Sequence, residues 1–220
     1  MNDTEFIKVI ERYKNLYSGA IADILDKLGY RNQVLPHYIS PYTKNDKLIG
    51  QAFTGQGYKV DDPTNNDMPM RLSMMDEITP NSISVWACGG HTGSAHFGEL
   101  MACAAREHGC NGAVIDGGVR DVDFLNNMSY PVFAHFKCAA SSIGRWEIVK
   151  WQVPIKIGDT IINPEDLVFG DTDGVIIVPK EKIMDVIDMA EDIHKRESCM
   201  RAEMRQGLSF KKAFEKYGVV

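Results

Sequence analysis

The sequence lacks the features that would place it in several specialised classes of protein. No apolar run approaches the ~20 residues that span a bilayer, and the N-terminal segment MNDTEFIKVIERYK is polar. We therefore expect neither a signal peptide nor a membrane partner. Basic residues are also scarce, with 24 Lys and Arg against 30 Asp and Glu and a net charge of −6. Because nucleic-acid-binding surfaces are usually basic, we expect no nucleic-acid partner.

Paired cysteines are absent as well. The five cysteines are widely spaced and form no CxxC pair; they are Cys88, Cys103, Cys110, Cys138 and Cys199. This pattern argues against a zinc finger and a disulfide framework, and it indicates free thiols in a reducing cytoplasm. The apolar surroundings of all but Cys199 predict buried small side chains rather than nucleophiles.

The remaining composition is that of a globular protein, with 44% hydrophobic and 25% charged residues and no internal repeat. It predicts one α/β domain over residues 1–220. Apolar residues at helical spacing predict four helices, at 4–17, 18–29, 98–108 and 180–206. Short β-rich runs bounded by Gly, Pro, Asn or Asp predict eight strands, at 49–58, 83–87, 113–115, 131–136, 154–157, 159–162, 167–170 and 174–178.

Local signals add detail to this outline. Ser18 is expected to cap the second helix at its N-terminus, and Gly29 is expected to end it. Residues 83–136 read as a βαβ-like unit, which favours a parallel arrangement of its strands. The Met-rich segment 68–77 is compatible either with a place in the core or with a lid.

The segment 89–125 carries the chemistry that the sequence suggests. It reads as loop, helix, turn and strand, with Arg120 and Asp121 just beyond the strand. Ligands of open α/β folds collect at such strand ends and helix N-termini, where free amides such as those of Leu100 and Met101 bind anions. Glu99 begins the helix, so we expect it to face the same pocket as the Arg-Asp pair.

Two carboxylates and a guanidinium suit a small anionic substrate together with a hard divalent cation such as Mg²⁺ or Mn²⁺. The same residues also allow a simpler interpretation, in which Glu99 complements the helix dipole and Arg120–Asp121 is a surface ion pair. No GxGxxG or GxxxxGK[ST] motif occurs in the required context, so a dinucleotide or ATP site has little support.

Four stretches resemble a known family: SGAIADILDKLG, LIGQAFTG, FGELMACAAREHGCNGAVIDGGVRD and GDTIINPEDLVFGDTDGVIIVP. They are similar to the regulator of ribonuclease activity A (RraA) family and its enzymatic relatives, the 4-hydroxy-4-methyl-2-oxoglutarate aldolases. The aldolase branch has an acidic residue, twenty positions and then Arg-Asp, whereas the regulator branch has Gly in place of the acid. Glu99, Arg120 and Asp121 follow the aldolase pattern, although Asp is more usual at the first position.

The resemblance implies a metal-dependent (class II) pyruvate aldolase with defined roles for these residues. Asp121 would bind Mg²⁺ or Mn²⁺ directly, and Glu99 would orient metal-bound waters. Arg120 would contact the keto oxygen and stabilise the enolate. The backbone of Gly98, Leu100 and Met101 would hold the substrate carboxylate. A Glu from a neighbouring subunit's C-terminal helix is also implied; the candidates are Glu197, which matches best, Glu203 and Glu191.

The implied fold is a compact β/β/α sandwich of the swivelling-domain type, assembled as a trimer or a dimer of trimers through the C-terminal helix. The implied activity is cleavage of 4-hydroxy-2-oxo acids to pyruvate and an oxo compound, with oxaloacetate decarboxylation as a side activity. The alternative is a non-catalytic regulator of the same fold that binds a ribonuclease or helicase.

The sequence offers further functional candidates. Lys137 would form a Schiff base in a class I aldolase, but a strand lysine more often points to solvent. His91 and His96 flank the glycine loop and suit either substrate contact or hydrogen bonds within the loop. The pair Asp171 and Asp173 is better explained as a turn between two strands than as a metal site.

Overall fold

The computed structural model describes residues 3–219. Seven α-helices are present in this range: α1 Asp3–Tyr13, α2 Ser18–Lys27, α3 Met68–Asp76, α4 Glu99–Glu107, α5 Val122–Asn127, α6 Ile183–Arg205 and α7 Phe210–Tyr217. Eleven strands complete the described elements: β1 Ser40–Pro41, β2 Leu48–Lys59, β3 Ser82–Ala87, β4 Ala95–Phe97, β5 Ala113–Val119, β6 Val132–Lys137, β7 Trp146–Trp151, β8 Ile155–Ile157, β9 Thr160–Ile162, β10 Leu167–Asp171 and β11 Gly174–Val178.

Nine of the strands form one mixed sheet in the order β1-β6-β5-β3-β2-β10-β11, with β4 beside β5 and β7 beside β2. The central strands β2, β3, β5 and β6 are parallel to one another. Helix α4 connects β4 to β5, and α5 connects β5 to β6. The predicted βαβ unit at 83–136 is therefore confirmed, and the C-terminal ends of its strands meet at one end of the sheet.

The sheet lies between a helical layer and a small β-layer. Alternate residues of β3 point to opposite faces of the sheet. Trp86 packs toward α3, α4 and α5, whereas Ile83 and Val85 pack toward the β8–β9 hairpin. Helices α1, α2, α6 and α7 cover β10 and β11 on the helical side. This arrangement confirms the predicted α/β class and the three-layer β/β/α sandwich.

Most of the predicted strands are confirmed within one or two residues, although the run at 113–115 extends to Val119. The prediction missed β1, β4 and β7 and the helices α3, α5 and α7. The Met-rich segment forms α3, in which Met74 and Met75 are buried in the core and Met70 is exposed. The single-domain prediction over residues 1–220 includes three residues outside the described range and stays a prediction.

The first helix is shorter than predicted, since α1 ends at Tyr13 rather than at residue 17. The chain turns there, and the Leu16 amide donates to the Tyr13 carbonyl oxygen at 3.0 Å. Lys47 stabilises this early end because its Nζ donates to the carbonyl oxygens of Lys14 and Leu16 at 2.7 and 2.8 Å. A cation at the C-terminal end of a helix also complements the helix dipole.

Ser18 is not the N-cap that the sequence suggested. Tyr17 occupies the cap position, and Ser18 is the first residue of α2. The Ser18 amide donates to Oδ2 of Asp171 at 2.8 Å, so the capping carboxylate comes from the β10–β11 turn. The same carboxylate accepts a hydrogen bond from the Asp173 amide through Oδ1, which confirms the turn. Gly29 follows the end of α2 with a φ of +88°, as its predicted role requires.

The predicted C-terminal helix begins as a 3₁₀ turn at Lys180–Lys182 and continues as α6. The apolar residues whose helical spacing predicts this helix lie on one side of it: Ile183, Val186, Ile187, Ala190 and Ile193 are buried, whereas Met204 is only partly buried. The other faces are largely charged, with Met184 and Met189 exposed among the charged residues. No helix among residues 3–219 combines the length and apolar character needed to cross a bilayer.

Asp171→Ala should lower the free energy of unfolding by about 1 kcal/mol, because it removes the cap of α2 and a turn hydrogen bond. Chemical denaturation of the purified protein measures this effect. Asp173→Ala is the matched control: its exposed carboxylate accepts no hydrogen bond in the described part of the chain. Equal stability of the two variants would contradict the capping role of Asp171.

Candidate active site

A cleft of about 370 Å³ opens at the C-terminal ends of the parallel strands. Its volume lies within the usual range for small-molecule sites. The lining comes from the ends of β4 and β5, the start of α4, helix α3 and the segment after β6. These residues are Met68, Arg71, Ala95, His96, Phe97, Gly98, Glu99, Leu100, Met101, Arg120, Asp121, Ser141, Ser142 and Ile143. The predicted residues Gly98, Glu99, Leu100, Met101, Arg120 and Asp121 therefore share one cavity.

A left-handed turn at Asp121 brings the Arg-Asp pair to the start of α4. Asp121 has φ 58° and ψ 33° and precedes the first residue of α5. The Arg120 amide donates to the Phe97 carbonyl oxygen at 3.0 Å, which fixes the end of β5 beside β4. Oδ2 of Asp121 accepts a hydrogen bond from the Glu99 amide at 3.3 Å and lies 3.5 Å from Arg120 Nε. Both side chains remain open to solvent, with 44% of Arg120 and 37% of Asp121 exposed.

Gly98 is the residue that allows this close approach. A Cβ atom at position 98 would lie 2.6 Å from Oδ2 of Asp121 and 3.1 Å from Cγ of Arg120. The Gly98 backbone is extended rather than left-handed, so the requirement for glycine comes from space and not from backbone strain. Any larger residue would displace the carboxylate from the start of the helix.

The N-terminal end of α4 supplies the expected anion-binding amides. The first helical bond joins the Ala102 amide to the Gly98 carbonyl oxygen at 3.1 Å. The amides of Leu100 and Met101 precede it, and no described residue accepts a hydrogen bond from either. Free amides and the helix dipole favour a bound carboxylate at this position.

The two histidines that flank the glycine loop, His91 and His96, are buried and hydrogen-bonded to each other. Of the two roles that the sequence suggests for them, this geometry matches hydrogen bonding within the loop. His91 Nδ1 lies 3.0 Å from His96 Nε2, and His96 Nδ1 accepts a hydrogen bond from the Gly118 amide at 2.9 Å. The Gly118 bond requires an unprotonated Nδ1, so His96 carries its proton on Nε2 and donates it to His91. Burial lowers the pKa of His96 to about 3, with further lowering by His91 and Arg71. His96 lines the cleft as a neutral imidazole with both nitrogens occupied.

Arg71 is a cleft residue that the sequence analysis missed. It is 4% exposed, and its Nη2 donates to Oδ2 of Asp67 at 2.7 Å while Nη1 donates to Oγ of Ser142 at 2.9 Å. The guanidinium carbon lies 5.4 Å from the centroid of the Trp146 ring. The Asp67–Arg71 spacing of four residues predicts an ion pair along a helix, but nothing local connects that pair to Ser142.

The cleft offers hard oxygen ligands suited to a divalent cation. Asp121 and Glu99 both line it, and no described residue donates a hydrogen bond to Oδ1 of Asp121. No group of three or more His, Cys, Asp or Glu residues with metal-binding geometry occurs among residues 3–219. Because Mg²⁺ binds through one or two carboxylates and keeps several waters, these two residues fit it.

The three C-terminal glutamates lie outside the cleft of their own chain. Glu197 is the least exposed of them at 13%; it accepts hydrogen bonds from the Tyr17 hydroxyl and from Arg201. Glu191 is paired with Arg12, and Glu203 with Lys216. Assignment of Glu197 to a neighbouring subunit's site stays a prediction.

The remaining candidates do not line this cleft, although Lys137 and Cys138 line a small neighbouring pocket together with Arg120 and Asp121. Lys137 is exposed, with Nζ 5.5 Å from the centroid of the Tyr42 ring, in the position expected of a solvent-facing strand lysine. Cys88 and Cys110 are buried as predicted, whereas Cys103 and Cys138 are only partly buried. A second cavity of about 540 Å³ lies at the opposite ends of the strands, but Lys47 within it already donates to main-chain oxygens.

Comparison with known proteins identifies the family. Residues 18–177 match the family described as RraA-like, Aldolase/RraA. The chain belongs to the RraA-like family. The match includes the whole segment from the glycine loop to Asp121, and it confirms the resemblance expressed by the four sequence stretches.

Individual relatives agree with this assignment. A protein of Halalkalibacterium halodurans, provisionally named a 4-hydroxy-4-methyl-2-oxoglutarate aldolase, is 30% identical over 84% of this chain and 83% of its own length. Protein DlpA of Legionella pneumophila is 27% identical over 95% of this chain, which spans only 34% of DlpA. The crystal structure of an uncharacterised Pseudomonas syringae protein superimposes with a TM-score of 0.85 and 27% identity, covering 96% of this chain and 94% of that one. The crystal structure of RraAS2 of Streptomyces coelicolor, described as a member of the RNase ES inhibitor RraA protein family, superimposes with a TM-score of 0.79 and 22% identity over 88% of this chain and 96% of that one, which confirms the RraA-like fold.

The buried histidine pair predicts a loss of stability in acid. The pKa of His96 is lowered to about 3, whereas an unfolded histidine titrates near ~6.5. Between these values the unfolded state binds the additional proton, so the free energy of unfolding falls as the pH falls, by about 1.4 kcal/mol per pH unit for this group. Below the folded-state pKa both states are protonated and the histidine contributes no further loss.

Urea denaturation of the wild type and of His96→Asn between pH 7.5 and 4 measures this contribution. The wild type should show the steeper dependence on pH, and His37→Asn, which removes an exposed histidine, should retain the wild-type slope. Parallel curves for the wild type and His96→Asn would contradict the assignment of a neutral buried His96.

Proposed function

We propose that the protein is a divalent-metal-dependent lyase that cleaves 4-hydroxy-2-oxo acids to pyruvate and an oxo compound. The observation that carries this proposal is the shared cleft of Glu99, Arg120 and Asp121 at the free amides of α4. Family membership and the aldolase names of relatives such as the Halalkalibacterium protein support it. The same chemistry predicts decarboxylation of oxaloacetate as a side activity.

Binding of the pyruvyl half follows from the residues at the start of α4. The Leu100 and Met101 amides are placed to hold the substrate carboxylate, and Arg120 supplies a fixed positive charge for the adjacent keto oxygen. Asp121 and Glu99 would hold Mg²⁺ or Mn²⁺. The bound cation would polarise the 2-oxo group as a Lewis acid.

Charge stabilisation by Arg120 accounts for the bond cleavage. When the C3–C4 bond breaks, its electron pair becomes the enolate of pyruvate. The C4 hydroxyl passes its proton to water in the solvent-open cleft as the oxo compound forms, and water supplies the proton that the enolate takes up. Arg120 would supply a fixed positive charge where the negative charge develops, so little reorganisation would be needed in the transition state. Protonation of the enolate at C3 then yields pyruvate.

The surface around the cleft supports a homo-oligomer, either a trimer or a dimer of trimers. Large apolar side chains are exposed on the elements that border the cleft; they are Met70, Leu72, Leu100, Phe124 and Ile143. Exposed apolar side chains grouped around a site are typical of a protein interface. A neighbouring subunit on this surface would be in a position to contribute Glu197 from its α6.

Arg120→Lys should reduce metal-dependent oxaloacetate decarboxylation by about 100-fold or more, because lysine cannot reproduce the fixed guanidinium at the oxyanion. EDTA should abolish the wild-type activity, and an assay of pyruvate release measures both effects. Lys137→Gln is the control and should remain fully active. Activity that survives EDTA, together with borohydride trapping of pyruvate on Lys137, would contradict the metal-dependent mechanism.

A site shared between subunits predicts complementation. Asp121→Asn and Glu197→Gln homo-oligomers should each be nearly inactive, whereas co-expressed mixed oligomers should regain activity because some sites then contain both native residues. Glu191→Gln and Glu203→Gln are controls that should retain activity alone. Mixed oligomers as inactive as their parents would assign Glu197 to a role within its own subunit.

A further inference from the structure

The part of the cleft lined by α3 and the segment after β6 has its own polar chemistry, separate from Arg120 and Asp121. Arg71 and Ser142 line it, and both are almost fully buried, at 4% and 3% exposed. Asp67 neutralises the guanidinium, and its Oδ2 also accepts a hydrogen bond from the Ile148 amide at 2.9 Å. The guanidinium is therefore held on three sides, by Asp67, by Ser142 and by the face of Trp146.

The hydrogen bond from Arg71 determines how Ser142 can act. Nη1 of Arg71 donates to Oγ of Ser142 at 2.9 Å, so the serine oxygen is an acceptor in that bond. The hydroxyl proton then has no acceptor among residues 3–219. A hydroxyl whose oxygen is bound to a cation is a stronger donor through its own proton. Buried donors without a partner are costly, which indicates that the occupant of the cleft supplies the acceptor.

Ser141 adds a second hydroxyl beside the first. Its Oγ accepts a hydrogen bond from the Ile143 amide at 3.3 Å, and no described residue accepts a bond from its proton. His96, which also lines the cleft, offers no donor because both of its nitrogens are occupied. This wall of the cleft therefore presents adjacent hydroxyl donors and a neutralised buried guanidinium.

We propose that Ser142, positioned by Arg71, determines substrate specificity by donating a hydrogen bond to a carboxylate that the substrate carries beyond C4. This inference rests on the proposed lyase function, since the pyruvyl half occupies the amides of α4 and Arg120. A carboxylate has two oxygen acceptors and matches the two hydroxyls of Ser141 and Ser142. An alkyl group in the same place would leave both donors unsatisfied, and sites of this kind reject analogues that lack the polar group.

The experiment compares two substrates that share the C4 hydroxyl. One is 4-hydroxy-4-methyl-2-oxoglutarate, which has the distal carboxylate, and the other is 4-hydroxy-2-oxopentanoate, which lacks it. The measured quantity is the ratio of kcat/KM for the two substrates. Ser142→Ala should reduce this ratio by about tenfold to a hundredfold, the range expected for a hydrogen bond to a charged group, with the change expressed mainly in KM of the dicarboxylate.

Arg71 is tested as a positioning residue through a double-mutant cycle. Arg71→Lys should reduce the same ratio, and it should have no further effect on the ratio in the Ser142→Ala background, because Arg71 acts through Ser142. Ser142→Thr retains the hydroxyl and should restore most of the selectivity. Ser73→Ala removes an exposed hydroxyl from α3 and should leave the ratio at its wild-type value.

Two negative results are distinguishable. Proton exchange at the methyl group of pyruvate in D₂O, followed by NMR with and without Mg²⁺, reports enolate formation without any distal group. A wild type that shows no metal-dependent exchange overturns the proposed function and this inference with it. A wild type that exchanges, combined with Ser142→Ala that keeps the wild-type ratio, overturns the assignment of Ser142 alone.

Discussion

The whole cleft depends on the left-handed turn at Asp121. It ends β5 and begins α5, and it brings the Asp121 carboxylate to the Glu99 amide beside Gly98. A non-glycine residue in this conformation carries backbone strain, which aspartate tolerates better than most residues. The backbone bond from Arg120 to Phe97 holds the turn in place. The strain is therefore stored beside the cleft, where the ends of two strands and the starts of two helices meet.

Beneath the cleft, buried aromatic rings pack against its polar residues. Trp146 stacks on Trp86 with centroids 6.0 Å apart, and the His96 ring meets Trp146 at 4.8 Å. Arg71 lies 5.4 Å from the centroid of the same indole. Both polar residues are thus packed against buried aromatic rings. Their hydrogen bonds are stronger for that reason, and an unsatisfied partner would be correspondingly costly.

The sequence predicts the parts of the structure that local rules determine. Short β-rich runs between turn residues predict the central strands. The helix start at Gly98–Glu99, with twenty residues between Glu99 and the pair Arg120 and Asp121, predicts the cleft. Contacts between residues that are far apart in the sequence cannot be predicted from local patterns. The cap of α2 comes from Asp171 and the end of α1 from Lys47, so Ser18 and the length of α1 were misjudged. Arg71 and Ser142 are 71 residues apart, and neither carries a motif that marks it.

The position of Glu99 has an evolutionary consequence. It is the first residue of α4, and its side chain makes no hydrogen bond or ion pair within residues 3–219. Losing that side chain would therefore remove an acid from the cleft. The free amides of α4, the space beside Gly98 and the turn at Asp121 would stay in place. Under the proposed mechanism, one substitution at position 99 would separate catalysis from binding without refolding of this scaffold.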